Sequence, residues 1–413
     1  MNLNVGIDVS KAKLDYCGLD SDHNICFQDE AANQPIGVST IKQAILQAAE
    51  VRSYDHIIIG MEATSMYNIL PSYTFEHDHE LNSLNVKVVT LNPKMTHKFS
   101  QVYDEDKTDK VDAMNIAEFI GLGRYTVPVP RDEAHFALQR LTRERFHLIK
   151  QINDCKSHFL NNLYYKLNTI DAELPTSVFG NTMMTVLADE RYSLDELAEL
   201  PLEQLISDLN EMGRGRFGDP EVVAKALKAA VRSSYRIGQT ILNSVNMVLG
   251  MYANEIRMFN QQKKKLDQSI GKLLEAFPEA QCLRSVPGIG PVYTAGILAE
   301  IGQTERFPNE ASLAKYSGLV WRRRQSGNSE TQATPRVRAG DQYLRYYLVE
   351  AADSVRRHDP TFTAYYDKKY REVPKYQHRR ADLLTARKLV RLVFALLTNH
   401  ELYQPTVPQI KLV

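Results

Sequence analysis

Cysteine is scarce in this chain. Four residues, Cys17, Cys26, Cys155 and Cys282, are scattered over 413 positions, and no two form a C-x-x-C pair. A disulfide framework and a thiolate zinc centre are therefore not expected, and a reducing, cytoplasmic compartment fits. Long hydrophobic runs are missing too. The best candidate, Leu389 to Leu397, is too short to span a bilayer and is broken by Arg391. No basic stretch followed by an apolar run opens the chain, so neither a secretory leader nor a membrane partner is expected. A net charge is also absent: 50 Lys and Arg balance 50 Asp and Glu. Overall charge thus says nothing about a polyanionic partner, and only local charge can. What remains is ordinary for a globular protein, with 43% hydrophobic and 24% charged residues in a chain long enough for two or three domains.

Residues 1 to about 125 read as α/β. Strands are predicted at Val5–Val9, Leu14–Leu19, Ile25–Phe27, His56–Met61 and Val86–Leu91, with helices near 37–51, 66–76 and 108–122. Three strands followed by alternating helices and strands is the element order of an RNase H-like fold, although other α/β domains share it. Pro128 and Pro130 mark a boundary. Beyond it, two apolar series step by three and four residues. One runs Leu138, Leu141, Arg145, Leu148, Ile152, Cys155, Phe159. The other runs Val245, Leu249, Tyr252, Ile256, Phe259, Lys263, Leu266, Ile270, Leu273, Phe277. Such heptads predict two long helices that pack on each other within the chain or pair subunits as a coiled coil. Between them, about 166–235, lies a helical lobe of no assigned role. The expected domains are 1–130, 131–280 with that lobe inserted, and 281–413.

Asp8 interrupts an apolar strand, where a lone charge is costly unless it is paired or binds a cation. Glu62 follows the Ile57-Ile58-Ile59 run, on what an RNase H-like order makes the neighbouring strand. Asp109 and Asp112 are spaced i, i+3 on one helix face, with Thr108 as a candidate N-cap. Four converging acids repel unless a divalent cation neutralises them, and hard oxygen donors suit Mg²⁺ or Mn²⁺. Two such ions about 4 Å apart serve phosphoryl displacement. Lys11 and Lys107 are placed to hold phosphates. Each acid alone also reads as a turn cap or a solvated helix face; the combination carries the metal reading.

From Cys282 onward the pattern is compact and mostly helical. Val286-Pro287-Gly288-Ile289-Gly290-Pro291 resembles a helix-hairpin-helix, in which Gly288 and Gly290 allow a tight turn and a phosphate approach; a purely structural corner fits as well. From Lys315 to Arg391, eighteen basic residues face eight acidic ones, with tyrosines interleaved, which suits a polyanion. Arg322, Arg323 and Arg324 precede Ser326-Gly327. Arginines spread charge on a phosphate, and a serine there can attack phosphorus, although most loop serines are only solvated.

Several segments recur together in one known family: Gly6-Ile7-Asp8-Val9-Ser10-Lys11, Met61-Glu62-Ala63-Thr64, Lys107-Thr108-Asp109-Lys110-Val111-Asp112-Ala113, the Pro-Gly-Ile-Gly stretch, Gln325-Ser326-Gly327 and Ala339-Gly340-Asp341-Gln342-Tyr343-Leu344-Arg345. In that order they resemble the DEDD-type insertion-sequence transposases of the IS-one-ten type, which include Piv-like invertases and bridge-RNA-guided recombinases. The resemblance implies an α/β RuvC-like domain with acids Asp8, Glu62, Asp109 and Asp112, followed by all-α coiled-coil helices and a helical serine domain with Ser326 as nucleophile. It implies a homo-oligomer with composite active sites in a bacterial or archaeal cell. It also implies double-stranded donor and target DNA and a structured guide RNA. Arg338 and Arg345 join the candidate nucleic-acid contacts. Ser65 stands where the family has glycine, and Trp321 where it often has proline. A site-specific invertase, a metal-dependent junction nuclease with an idle serine, and a non-enzymatic nucleic-acid scaffold are the alternatives.

Overall fold

The computed structural model describes residues 1–63, 66–91, 93–101, 108–123, 133–170, 174–188, 191–321, 325–326, 329–330 and 339–405. It divides into two compact units, Met1–Pro130 and Arg131–Val413.

The first unit is a five-stranded sheet with helices on both faces. Its strands are β1 (Asn2–Val9), β2 (Lys13–Leu19), β3 (Ile25–Ala32), β4 (His56–Glu62) and β5 (Val86–Leu91), in the order β3-β2-β1-β4-β5. The first three form an antiparallel meander, and β4 and β5 run parallel to β1. Every expected strand is present. β3 continues five residues past Phe27 because Gln28, Asp29 and Glu30 pair with β2 despite their polarity; an exposed edge strand has no apolar alternation to betray its length. Two short helices, His79–Ser83 and Pro93–Ser100, have no counterpart among the expected elements.

Alternation along β1 separates the two faces. Leu3, Val5, Ile7 and Val9 pack with Ile41 and Ile45 of α1 (Pro35–Val51). Asn4, Gly6 and Asp8 point the other way, beneath the helix Asp109–Gly121 (α5 in chain order). That helix lies very close to the sheet. A Cβ on Gly6 would sit 2.1 Å from the Ala113 carbonyl oxygen and 2.4 Å from the Ala117 nitrogen. Gly60, paired with Gly6 in the parallel register, would meet Ile120 at 2.3 Å. Gly121 lies over Asn4 and Ala113 over Gly6, so α5 runs antiparallel to β1 and its first turn arrives at Asp8. Thr108 caps that turn, its hydroxyl accepting from the Val111 N–H at 3.3 Å.

In the second unit the helices Glu133–Lys166 and Gln239–Leu274 pack antiparallel on one another. Arg145 bonds Asp267 at 2.5 Å, Cys155 meets Glu255 at 3.3 Å, and His158 stacks on Tyr252. The two apolar series therefore face each other within the chain. Ala253, rather than Tyr252, is fully buried at the seam, and no residue between Ile256 and Ile270 is. One core gathers Phe159, Val245 and Leu249 with the helical lobe, built of Asn181–Leu187, Leu194–Glu199, Leu202–Gly213 and Pro220–Ser233. The other gathers Leu138, Ile270 and Leu274 with the C-terminal helices, including Pro291–Ile301, Gln342–His358, Pro360–Arg371 and Gln377–Asn399. Among the described residues no helix is long and apolar enough to cross a membrane.

Gly6→Ala should destabilise the protein by about 3 kcal/mol in chemical denaturation, because α5 must lift off the sheet. Gly271→Ala, inside a helix with nothing within 4 Å of the new methyl, should instead add about 0.5–1 kcal/mol.

Candidate active site

The parallel register Ile7↔Met61 continues to set Asp8 beside Glu62, both two residues beyond the glycines that admit α5. Asp109 and Asp112 stand in the first turn of α5, where the helix dipole favours negative charge. Burial, then repulsion from Asp112, Glu62, Asp109 and Asp15, pushes the Asp8 carboxyl up to about 6. The other three expected acids are thus within electrostatic reach of Asp8. Their side chains stop short of a chelate: among the described residues no three His, Cys, Asp or Glu side chains are arranged to hold a metal ion.

Two members of this neighbourhood went unread in the sequence. Asp15 is the direct cross-strand partner of Asp8 and is 1% exposed. Lys13, on the same face of β2, reaches Asp15 at 3.0 Å, Glu30 at 3.1 Å and Asp109 at 3.4 Å. The signal was available: a charge inside the Leu14–Leu19 run is as anomalous as Asp8. The tight turn at Ser10, whose hydroxyl bonds the Lys13 carbonyl and N–H, sets the two strands in register. Lys11 is exposed in that turn. Lys107 lies outside the described residues.

The donor set is all oxygen, and like charge from neighbouring acids adds to burial in raising the Asp8 carboxyl. Both features fit a divalent cation.

In the second unit, Gln325–Ser326 pairs antiparallel with Ser329–Glu330. The Ser326 side chain, Arg322, Arg323, Arg324 and Arg338 lie outside the described residues. The two ends from which this hairpin springs are pinned together. The Asp341 N–H donates to the Tyr316 carbonyl at 2.7 Å, and Arg345 donates to the Ser317 carbonyl at 3.2 Å. Gly318 (φ +70°) and Gly340 (φ +111°) interlock, each leaving no space for a Cβ against the other's loop. Asp341 also caps Gln342–His358 through the Leu344 N–H. Beneath it, fully buried Glu300 accepts two bonds from Arg143, at 2.8 and 2.9 Å, and one from Gln139 at 2.9 Å. Arg143 also lies 3.7 Å from Asp341 and over the Tyr343 ring. Burial, then Glu300, pushes the Asp341 carboxyl above its usual range.

The expected glycine hairpin connects Ala280–Arg284 to Pro291–Ile301. Gly288 (φ +97°) packs against the backbone of Ser354 and Val355, whereas Gly290 faces open space and caps the second helix. Part of the basic surplus is spent within the chain. Arg356 and Arg357 pair with Asp353, Lys369 and Arg380 with Glu372, and Arg387 and Arg391 with Glu310. Of the interleaved tyrosines, Tyr347 and Tyr366 are core, while Tyr376 is 84% exposed.

Comparison with known proteins meets this geometry at both ends. A model of DEDD-type IS110 transposases matches residues 5–165, and one described as "Transposase IS116/IS110/IS902 family" matches residues 280–367. The chain thus carries transposase domains of the IS110/IS116 kind in both of these segments. An uncharacterized 44.8 kDa protein of insertion element IS116 from Streptomyces clavuligerus is 26% identical over 98% of the chain and 96% of its own length. The transposase of element IS1111A from Coxiella burnetii is 29% identical over 33% of the chain and 38% of its own length. The pilin gene-inverting protein of Moraxella bovis is 32% identical over 23% and 31%. An uncharacterized IS110 protein from Streptomyces coelicolor matches over 40% of each chain.

Asp8 titrates higher folded than unfolded, so its contribution to stability is greatest below about pH 4 and declines as pH rises through about 6. Asp8→Asn should therefore raise the metal-free protein's stability at pH 7 by about 1–3 kcal/mol, a gain that vanishes below pH 4. Thermal unfolding in chelator across pH 4–8 checks this.

Proposed function

We propose that the chain is the recombinase of an insertion sequence, cutting and rejoining DNA with Ser326 as nucleophile beside a RuvC-like four-carboxylate site. The observation that carries this reading is that a helix lying on Gly6 and Gly60 brings Asp109 and Asp112 within electrostatic reach of Asp8, with Glu62 on the neighbouring strand. When bound, Mg²⁺ or Mn²⁺ would be held by Asp8, Glu62, Asp109 and Asp112, and would activate one oxygen and stabilise another at phosphorus. The Ser326 hydroxyl gives up its proton and its Oγ bonds to phosphorus. The bond to the leaving deoxyribose oxygen breaks, and that oxygen takes up a proton. Because one phosphoester replaces another, a hydroxyl of the exchanged strand can reverse the step without an energy source. Arg322, Arg323 and Arg324 spread charge on the phosphate. Lys11, Lys107, Gly288, Gly290, Arg338 and Arg345 complete the nucleic-acid contacts, Arg345 and Gly288 acting mainly through the loops they pack.

In this reading the domains divide near 130 and 280, copies of the chain assemble so that acids and serine come from different subunits, and a structured RNA selects the DNA. The likeness to a pilin gene-inverting protein favours inversion as the second reading. The protein chemistry is common to both, and the DNA substrates decide.

Ser326→Ala should abolish a denaturation-resistant protein–DNA adduct, and Asp8→Ala should cut strand exchange by about 10³-fold or more. An adduct surviving in Ser326→Ala would leave a water-using nuclease. RNA sequenced from the purified complex tests guide dependence.

A further inference from the structure

Lys13 is the basic side chain that the fold inserts among the acids. It enters from β2, next to the strand that carries Asp8, and is held there by buried Asp15, the residue paired with Asp8 across the strands. Its ammonium also contacts Glu30 at 3.1 Å and Asp109, the first residue of α5, at 3.4 Å. On the other side of that turn, the Gln28 side chain donates to the Lys110 carbonyl at 3.1 Å. The start of α5 is therefore tied to the meander by a charge contact and a hydrogen bond.

We infer that Lys13 is a place-holding cation, a positioning residue that Asp15 anchors and that holds Asp109 over the sheet while the site carries no metal. This inference rests on the four-carboxylate reading. Four carboxylates, Asp15, Glu62, Asp109 and Asp112, act on Asp8, and this ammonium contacts two of them, Asp15 and Asp109. Like charges at this density oppose the docking of α5, and a fixed ammonium offsets part of that repulsion. The same ammonium competes with an incoming cation for Asp109. Lys13 thus helps the metal-free site form and weakens its grip on the ion. A lysine with a purely structural role would do only the first.

The test uses the full chain stripped with chelator, with Mn²⁺ as the probe. In the metal-free protein Lys13→Met lowers the unfolding midpoint, and adding Asp109→Asn recovers much of that loss, because the charge that needed offsetting is gone. Lys13→Arg behaves as the wild type. Simple additivity of Lys13→Met and Asp109→Asn would overturn the inference. Should Lys13→Met fail to fold, restoration by Asp109→Asn supports the inference and continued failure overturns it. In calorimetric titration Lys13→Met binds Mn²⁺ about twofold to fivefold more tightly than wild type; equal or weaker binding counts against competition. Wild-type Mn²⁺ binding that survives Asp8→Asn defeats the four-carboxylate reading itself, and the metal-free double-variant comparison then judges Lys13 separately.

Discussion

The site depends on how closely one helix can approach one sheet. Gly6 and Gly60 leave the surface of β1 and β4 bare where Ala113, Ala117 and Ile120 press down. Any side chain at Gly6 would lift α5, and its first turn would no longer reach Asp8. At Gly6 the approach is backbone to backbone and rigid, because neither partner has a rotamer to change, whereas at Gly60 it is the Ile120 side chain that fills the space. The carboxylates therefore gain their placement from atoms that carry no charge. Asp8 and Glu62 are fixed by strand register, and Asp109 and Asp112 by helix phase.

Placing charge in this way has an energetic cost. Burial and four neighbouring acids raise the Asp8 carboxyl to about 6, which measures work stored by the fold. The Lys13 ammonium, between Asp15 and Asp109, offsets part of the like charge around it from within the sheet. A net charge of zero conceals this segregation, with acids concentrated around one sheet face and bases along the last hundred residues. Many of those bases are partnered locally, so the surface left for a polyanion is smaller than the count of eighteen suggests.

In the second unit the comparable device is a pinned root. Gly318 and Gly340 cross at positive φ, Asp341 and Arg345 bond the Tyr316 and Ser317 carbonyls, and a buried Arg143–Glu300 pair lies beneath. The segment bearing Ser326 thus leaves the core from a defined point. Burying that ion pair is tolerable because Gln139 and the bidentate geometry satisfy the Glu300 oxygens. The same helix that supplies Arg143 and Gln139 serves both cores of the unit, so the expected segments 131–280 and 281–413 share packing at Leu138, Ile270 and Leu274.

Much of this was legible in the linear chain. Period-two and period-3.6 patterning placed the five strands and the long helices, because those periods follow from local backbone geometry and need no partner. Asp8 stood out because it interrupts an apolar strand, Glu62 because it ends one, and Asp109 and Asp112 because their i, i+3 spacing puts them on one helix face. Asp15 and Lys13 did not, because their meaning lies in which residue of β1 they oppose, and strand register belongs to a pair of strands. Likewise, Gly6 and Gly60 look like any other glycines until α5 is seen above them, and the packing of Gly288 on Ser354 belongs to the fold alone. The one-dimensional sequence determined the kinds of element, their order and the chemical type of the site. Tertiary structure alone decided the distances, since these come from contacts between residues far apart in the chain, which no local periodicity records.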